Sequence, residues 1–178
     1  MSINFKVDLY APWEKARFWC SLLSPKDIEI KNFVFLSSEE LLQILTWRNH
    51  PDISRFMFRK DLISREEHFS FVMQLHYSKH DFYYLLILQE DPLGVFSLSN
   101  VNWENMDAEF GLYCRPDKKG YGNLLLEMLE YVAFVLFKLR KLIAKVFSYN
   151  KKALALYERF GYKIQEVQGE IFILAKNV

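Results

Sequence analysis

Cysteine is scarce in this chain: Cys20 and Cys114 are the two it has in 178 residues. Two thiols cannot form a disulfide framework, and they fit a reducing compartment. Long apolar runs are also missing. The longest, 131–137, is seven residues inside an amphipathic pattern, far short of a bilayer span. The opening Met-Ser-Ile-Asn-Phe-Lys-Val-Asp has no apolar core of a secretory signal. A soluble, cytoplasmic protein with no membrane partner is expected. A net charge of +1 excludes a global pull towards nucleic acid. His50, His68, His76 and His80 show neither H-E-x-x-H nor Cys/His pair spacing, so no metal is expected. There is also no Gly-Lys-Ser/Thr and no G-x-G-x-x-G, which argues against a Walker loop and a dinucleotide fingerprint.

The chain does carry a large apolar complement, 51% of residues with 17% aromatic, enough for one folded domain with a substantial core. Its most informative stretch is Asp117-Lys-Lys-Gly120-Tyr121-Gly122-Asn123, between an apolar strand, 109–114, and an apolar helix expected over 124–137. The free N–H groups and the dipole at a helix start favour an anion, and glycine lets backbone approach a ligand closely. A phosphorylated ligand is therefore expected on this loop. Charge agrees locally: from Arg115 to Lys152 there are nine Lys/Arg against three acids. Lys118, Lys119, Lys151 and Lys152 flank two expected helix starts.

Within residues 1–27, Trp13, Ala16, Phe18, Trp19, Leu22 and Leu23 lie at helical spacing between Pro12 and Pro25. They are expected to pack on the main domain or on a partner subunit, since the segment lacks the basic face of a membrane-surface helix. Residues 28–178 read as one domain. A strand over 28–36 precedes a helix opened by the capping box Ser37-Ser-Glu-Glu40 and ending near Trp47. An irregular stretch, 52–62, follows Pro51. A second capping box, Ser64-Arg-Glu-Glu67, opens a helix whose one face holds His68, Phe71, Val72 and Leu75. Strands over 82–89 and 93–101 are joined through Glu90-Asp-Pro, and a polar turn at 102–106 leads to the strand before the loop. A strand over 142–147 precedes a helix over 151–160, with Asn150 as N-cap and Gly161 as the stop. A hairpin, 162–167 and 171–175, closes the chain. This order, β-α-α-β-β-β-α-β-α-β-β, places the fold in the α+β or mixed α/β class.

The element order and two motifs resemble the GCN5-related N-acetyltransferase (GNAT) superfamily. Residues 109–122 are similar to its acetyl-CoA motif, with Asp117 where that motif has Gln or Arg. Residues 150–162, Asn-Lys-Lys-Ala-Leu-Ala-Leu-Tyr-Glu-Arg-Phe-Gly-Tyr, resemble its last-helix motif. The resemblance implies a central, mostly antiparallel, twisted sheet of about seven strands flanked by about four helices. More narrowly, Trp47-Arg-Asn-His-Pro-Asp-Ile-Ser-Arg-Phe-Met57, with Glu67, His68, Phe69 and Phe71, looks like the acetyltransferases of bacterial pseudaminic acid synthesis. That resemblance implies acetyl transfer to the 4-amino group of a UDP-linked 4-amino-4,6-dideoxy sugar, UDP-4-amino-4,6-dideoxy-N-acetyl-β-L-altrosamine, destined for flagellin. Ala108-Glu109-Phe-Gly is also similar to ribosomal-protein acetyltransferases, which would make the acceptor a protein or peptide N-terminus. A CoA-binding regulator without turnover is the third reading, because fold does not fix function. A homodimer is possible under each.

By resemblance, the backbone of Phe110 and Leu112 runs beside the pantetheine arm, with one N–H donating to the thioester carbonyl. The pyrophosphate rests on the amides of Lys119, Gly120, Tyr121, Gly122 and Asn123, with Lys118 and Lys119 adding attraction, and Asn150 belongs to the same cofactor site. Tyr157 is the candidate general acid for the departing thiolate, a phenol being protonated at neutral pH; its alternative is a core position. Glu109, where burial would suit a base, is the candidate acceptor of the amine's proton; ordered water and His68 are the alternatives. Arg48 is a natural partner for a diphosphate, with Met57, Phe58 and Phe71 offering surface for uracil. His68 and Ser97 complete the acceptor side.

Overall fold

The computed structural model describes residues 28–178. The expected helix face from Trp13 to Leu23, and Cys20, lie outside the described residues. Seven strands form one sheet: β1 (Ile28–Asn32), β2 (Phe82–Leu88), β3 (Asp91–Asn102), β4 (Asp107–Cys114), β5 (Lys141–Phe147), β6 (Lys163–Gln168) and β7 (Ile171–Asn177), in the order β1-β2-β3-β4-β5-β7-β6. All neighbours are antiparallel except β4 and β5. That pair is parallel because the chain between them crosses back through a helix instead of a tight turn.

Among the described residues five α-helices accompany the sheet: α1 (Ser38–Arg48), α2 (Pro51–Ser54), α3 (Arg65–Leu75), α4 (Gly122–Glu130) and α5 (Lys151–Arg159). Leu124–Leu126, Met128 and Leu129 of α4 and Leu154, Leu156 and Tyr157 of α5 bury against one sheet face, with Phe96, Leu98 and Phe110. Leu41, Ile44 and Trp47 of α1 and Val72 and Leu75 of α3 bury against the other, with Leu85 and Val95. This gives three layers with the sheet in the middle. Period-two alternation sends Phe110 and Leu112 of β4 into the first core and Tyr113 towards the second.

Several local expectations need correction. Residues 52–62 are not wholly irregular: α2 begins at Pro51, whose missing N–H costs nothing at a first helical position, and the His50 side chain accepts from the Asp52 amide. The capping box at Ser37 is complete, but that at Ser64 is half formed. Ser64 accepts from the Glu67 amide, whereas the Glu67 carboxylate turns to Arg59. The turn joining β2 to β3 is Gln89–Glu90, both with positive φ, as a two-residue hairpin demands. Asp91 and Pro92 are already in β3, next to a register shift at which Leu93 of β3 is skipped, an irregularity that accommodates a residue lacking an N–H. The expected long helix over 124–137 is α4 followed by a π-helical turn, Tyr131–Leu136, which carries Phe137 onto Phe82 at a ring distance of 4.8 Å.

One feature of the sheet positions everything else. Pairing of β4 with β5 stops at Phe110 and Ala144, although β4 runs on to Cys114 and β5 to Phe147. The strands part there, leaving a fork in the sheet.

Candidate active site

The fork has direction as well as width. The Arg115 amide donates to Leu93 O on β3. Counting back by twos along the regular part of the β3–β4 ladder, the amides of 113 and 111 also face β3, and those of 112 and 114 face the gap. Leu112 thus presents an unpaired backbone donor inside the fork.

A cleft of about 1110 Å³ runs through this gap. Its lower end is the loop before α4. Gly120 has φ +99°, a conformation in which a side chain would strain the backbone. The first helical hydrogen bond of α4 comes from the Leu125 amide to Tyr121 O, so the amides of Gly122, Asn123 and Leu124 have no helical acceptor. A Cβ on Gly122 would lie 3.3 Å from Leu156 Cδ2, so this glycine keeps α4 and α5 close while leaving the amide reachable. These features suit a pyrophosphate, and the fork suits the extended arm of acetyl-CoA.

Side chains at the loop are arranged differently from expectation. Asp117 is held by Arg115 through Nε at 2.7 Å, and that guanidinium keeps its carboxyl below the usual range. Lys118 reaches back to Asp91 at 2.5 Å, so its ammonium is engaged rather than poised over the loop. Lys119 is exposed at the cleft. The Tyr121 amide is turned to the Cys114 sulfur, and its ring packs on the core, so Tyr121 is absent from the cleft wall. Burial pushes the Cys114 thiol up to about 11. Asn123 accepts from Arg159 at 2.9 Å, and the Asn150 oxygen caps α5 by accepting from the Ala153 amide.

Every other candidate catalytic, cofactor-binding or acceptor-binding residue lines the cleft. Tyr157 is buried, edge-on to Phe110 at 5.2 Å, and burial raises its phenol well above the ordinary range. Glu109 is not enclosed as a buried base would be: its side chain is 29% exposed, with Oε1 2.7 Å from Lys145 Nζ on β5. Phe71 stands edge-on to Tyr83, Met57 packs on the second core, and Phe58 is exposed beside Phe147. Ser97 is buried, with Oγ 3.5 Å from Gly111 O.

Arg48 and His68 carry the clearest unmet polar demand. Arg48 Nη2 donates to Arg59 O at 2.8 Å, while Nη1 is buried without a partner among the described residues. Burial lowers the Arg48 pKa, partly offset by the phenols of Tyr113 and Tyr83. His68 Nε2 is likewise buried and unpartnered, and burial lowers its pKa. Buried polar atoms are nearly always satisfied, so two orphans in one cleft wall point to a polar ligand. Asn49 braces the wall by bonding both the amide and carbonyl of Ile63. Sequence reasoning missed Tyr83, Tyr113, Arg59 and Lys145. Tyr113 was recoverable, since it shares a strand face with Glu109; the others depend on contacts between distant segments. Among the described residues no cluster of His, Cys, Asp or Glu is suited to a metal, and no helix is long and apolar enough to cross a membrane.

Comparison with known proteins agrees with this geometry. A curated relative, acetyltransferase PseH of Campylobacter jejuni serotype O:2, is 39% identical over 145 residues, covering 82% of this chain and 90% of its own. The crystal structure of C. jejuni N-acetyltransferase PseH in complex with acetyl coenzyme A superimposes with a TM-score of 0.72 at 31% identity, over 84% of this chain and 98% of that one. Spermidine N-acetyltransferase from Vibrio cholerae, at 19% identity and a TM-score of 0.75 over 85% and 95%, shares the fold. Residues 33–163 match the acetyltransferase (GNAT) domain. The chain belongs to the GNAT family and is an acetyl-CoA-dependent N-acetyltransferase.

Proposed function

We propose that the acceptor is a UDP-linked 4-amino-4,6-dideoxy sugar, UDP-4-amino-4,6-dideoxy-N-acetyl-β-L-altrosamine, acetylated at its 4-amino group on the route to pseudaminic acid. The observation that carries this reading is the buried, unpaired Nη1 of Arg48 in a cleft lined by nine Lys/Arg against three Asp/Glu. A cleft of that charge suits two anionic ligands, CoA and a nucleoside diphosphate, and repels a polyamine. Arg48 would bind the acceptor diphosphate, with Met57, Phe58 and Phe71 against uracil and His68 and Ser97 on the sugar.

Bound acetyl-CoA supplies an activated acyl group. The chain's own residues would do the rest. The Leu112 amide donates to the acyl oxygen from inside the fork. The helix-start amides of Gly122, Asn123 and Leu124 hold the pyrophosphate. Glu109 Oε2, which Lys145 leaves free, receives the amine's proton, and the neutral Tyr157 hydroxyl gives one to the departing sulfur.

The test is thiol release from acetyl-CoA with the sugar nucleotide, with peptides bearing free N-termini, with spermidine, or with no acceptor. Release with the sugar nucleotide alone is expected. Release with peptide alone would move the acceptor to the ribosomal-protein type.

A further inference from the structure

Four aromatic rings form a row across the mouth of the cleft. They run Phe58 to Phe147 at 5.1 Å, Phe147 to Tyr149 at 5.0 Å with planes 13° apart, and Tyr149 to Phe56 at 6.0 Å. The outer two come from the segment after α2, and the inner two from the end of β5 and the turn that follows it. Arg55 lies over Phe56 at 4.7 Å, at one end of the row, and Lys60 lies over the inner ring of Phe147 at 5.6 Å. The Tyr149 hydroxyl also donates to Arg55 O at 3.3 Å. Phe56, Phe58 and Phe147 line the cleft; Tyr149 does not.

The two segments joined by this row have no shared strand or helix. Residues 55–60 are largely exposed, and on their own side they are held by the bond of Arg48 to Arg59 O and the pairing of Arg59 with Glu67. On the opposite side, Tyr149 precedes Asn150, the cap of α5, on the wall that carries Tyr157. Offset aromatic packing is worth more than the area it buries, so the row fixes the exposed segment to a rigid strand end.

We propose that Tyr149 is a positioning residue for the acceptor: it holds residues 55–60 against β5, and through Arg59 O it sets where the Arg48 guanidinium stands. Tyr149 touches neither ligand. Its loss loosens the acceptor wall and leaves the acetyl-CoA site intact. The inference rests on the acceptor reading above for its kinetic arm and on the fold alone for its structural arm.

The experiment compares Tyr149→Ala and Tyr149→Phe with the wild type, by steady-state kinetics, acetyl-CoA titration and amide hydrogen exchange. The amides of Phe56 and Met57, bonded to Ile53 O and Ser54 O, report the segment. Tyr149→Ala is expected to speed exchange at 55–60 and raise the KM for the sugar nucleotide about tenfold, with kcat and the acetyl-CoA Kd little changed. Tyr149→Phe keeps the ring and should behave as wild type on both counts. Unchanged exchange at 55–60 in Tyr149→Ala overturns the proposal. So does exchange spreading through α5 with loss of acetyl-CoA affinity, which would make Tyr149 a general support of that helix. If the wild type does not use the sugar nucleotide, the acceptor reading falls while the exchange comparison still decides the role of Tyr149.

Discussion

Glu109 and Lys145 form an ion pair, Oε1 to Nζ at 2.7 Å, joining β4 to β5 where their pairing ends: Glu109 is paired with Ile143, and Lys145 is one residue past Ala144, the last paired residue of β5. The pair marks the crotch of the fork, where the proposed mechanism brings the acyl group and the amine together. One carboxylate oxygen is taken by the lysine, and Glu109 lines the cleft. Glu109→Gln retains the shape and removes the proposed proton acceptor. Its kcat should fall about 100-fold with the acetyl-CoA Kd unchanged. A fall of less than about threefold would assign proton removal to solvent.

Tyr157→Phe keeps the edge-on contact with Phe110 and deletes one hydroxyl. Turnover should drop about 100-fold while the melting temperature stays near wild type. Unchanged turnover would leave Tyr157 as a core residue.

Gly122→Val places branched carbon where even a Cβ lies 3.3 Å from Leu156 Cδ2. The start of α4 must shift, and with it the amides proposed to hold the pyrophosphate. Isothermal titration should show acetyl-CoA binding weakened by at least about tenfold, or 1.4 kcal/mol. A normal Kd would mean that the phosphates lie elsewhere.

Arg48→Lys keeps the charge but loses the planar fork that bonds Arg59 O and offers Nη1 to the cleft. The acceptor KM should rise about tenfold or more, with acetyl-CoA affinity retained. If acetyl-CoA affinity alone suffers, the two subsites have been exchanged.

His68 is 5% exposed, and burial lowers its pKa from the ordinary value. Below the unfolded value of about 6.5, the unfolded chain binds a proton that the folded one resists, so stability falls as pH drops through that range. Melting temperatures from pH 7.5 to 5.5 should decline in the wild type and less steeply in His68→Asn. Equal slopes would show that His68 charges readily in the folded protein.

Much of the fold was legible because its signals are local. Ser37 and Glu40 announce the start of α1 within four residues, Asn150 caps α5, and alternation along 109–114 separates the two sheet faces. The errors arose where a neighbour from elsewhere in the chain overrode a local preference. Glu67 leaves its cap for Arg59, eight residues back, and Asp91 enters β3 instead of a turn, bound by Arg115 and Lys118. The same division holds at the site. Gly120 and Gly122 could be read as an anion loop, but Lys118 could not be read as turned away, because its partner is far off in sequence.

The sequence by itself determined the element order apart from α2, a helix start suited to an anion, and the family, because backbone geometry and capping depend on residues a few positions apart. The tertiary structure decided where the strands part, which way the Leu112 amide points, that Glu109 is shared with Lys145, and that Arg48 is left with an unpaired nitrogen. Those features depend on which distant side chains meet, and charge pairing and burial settle that only once the sheet is assembled.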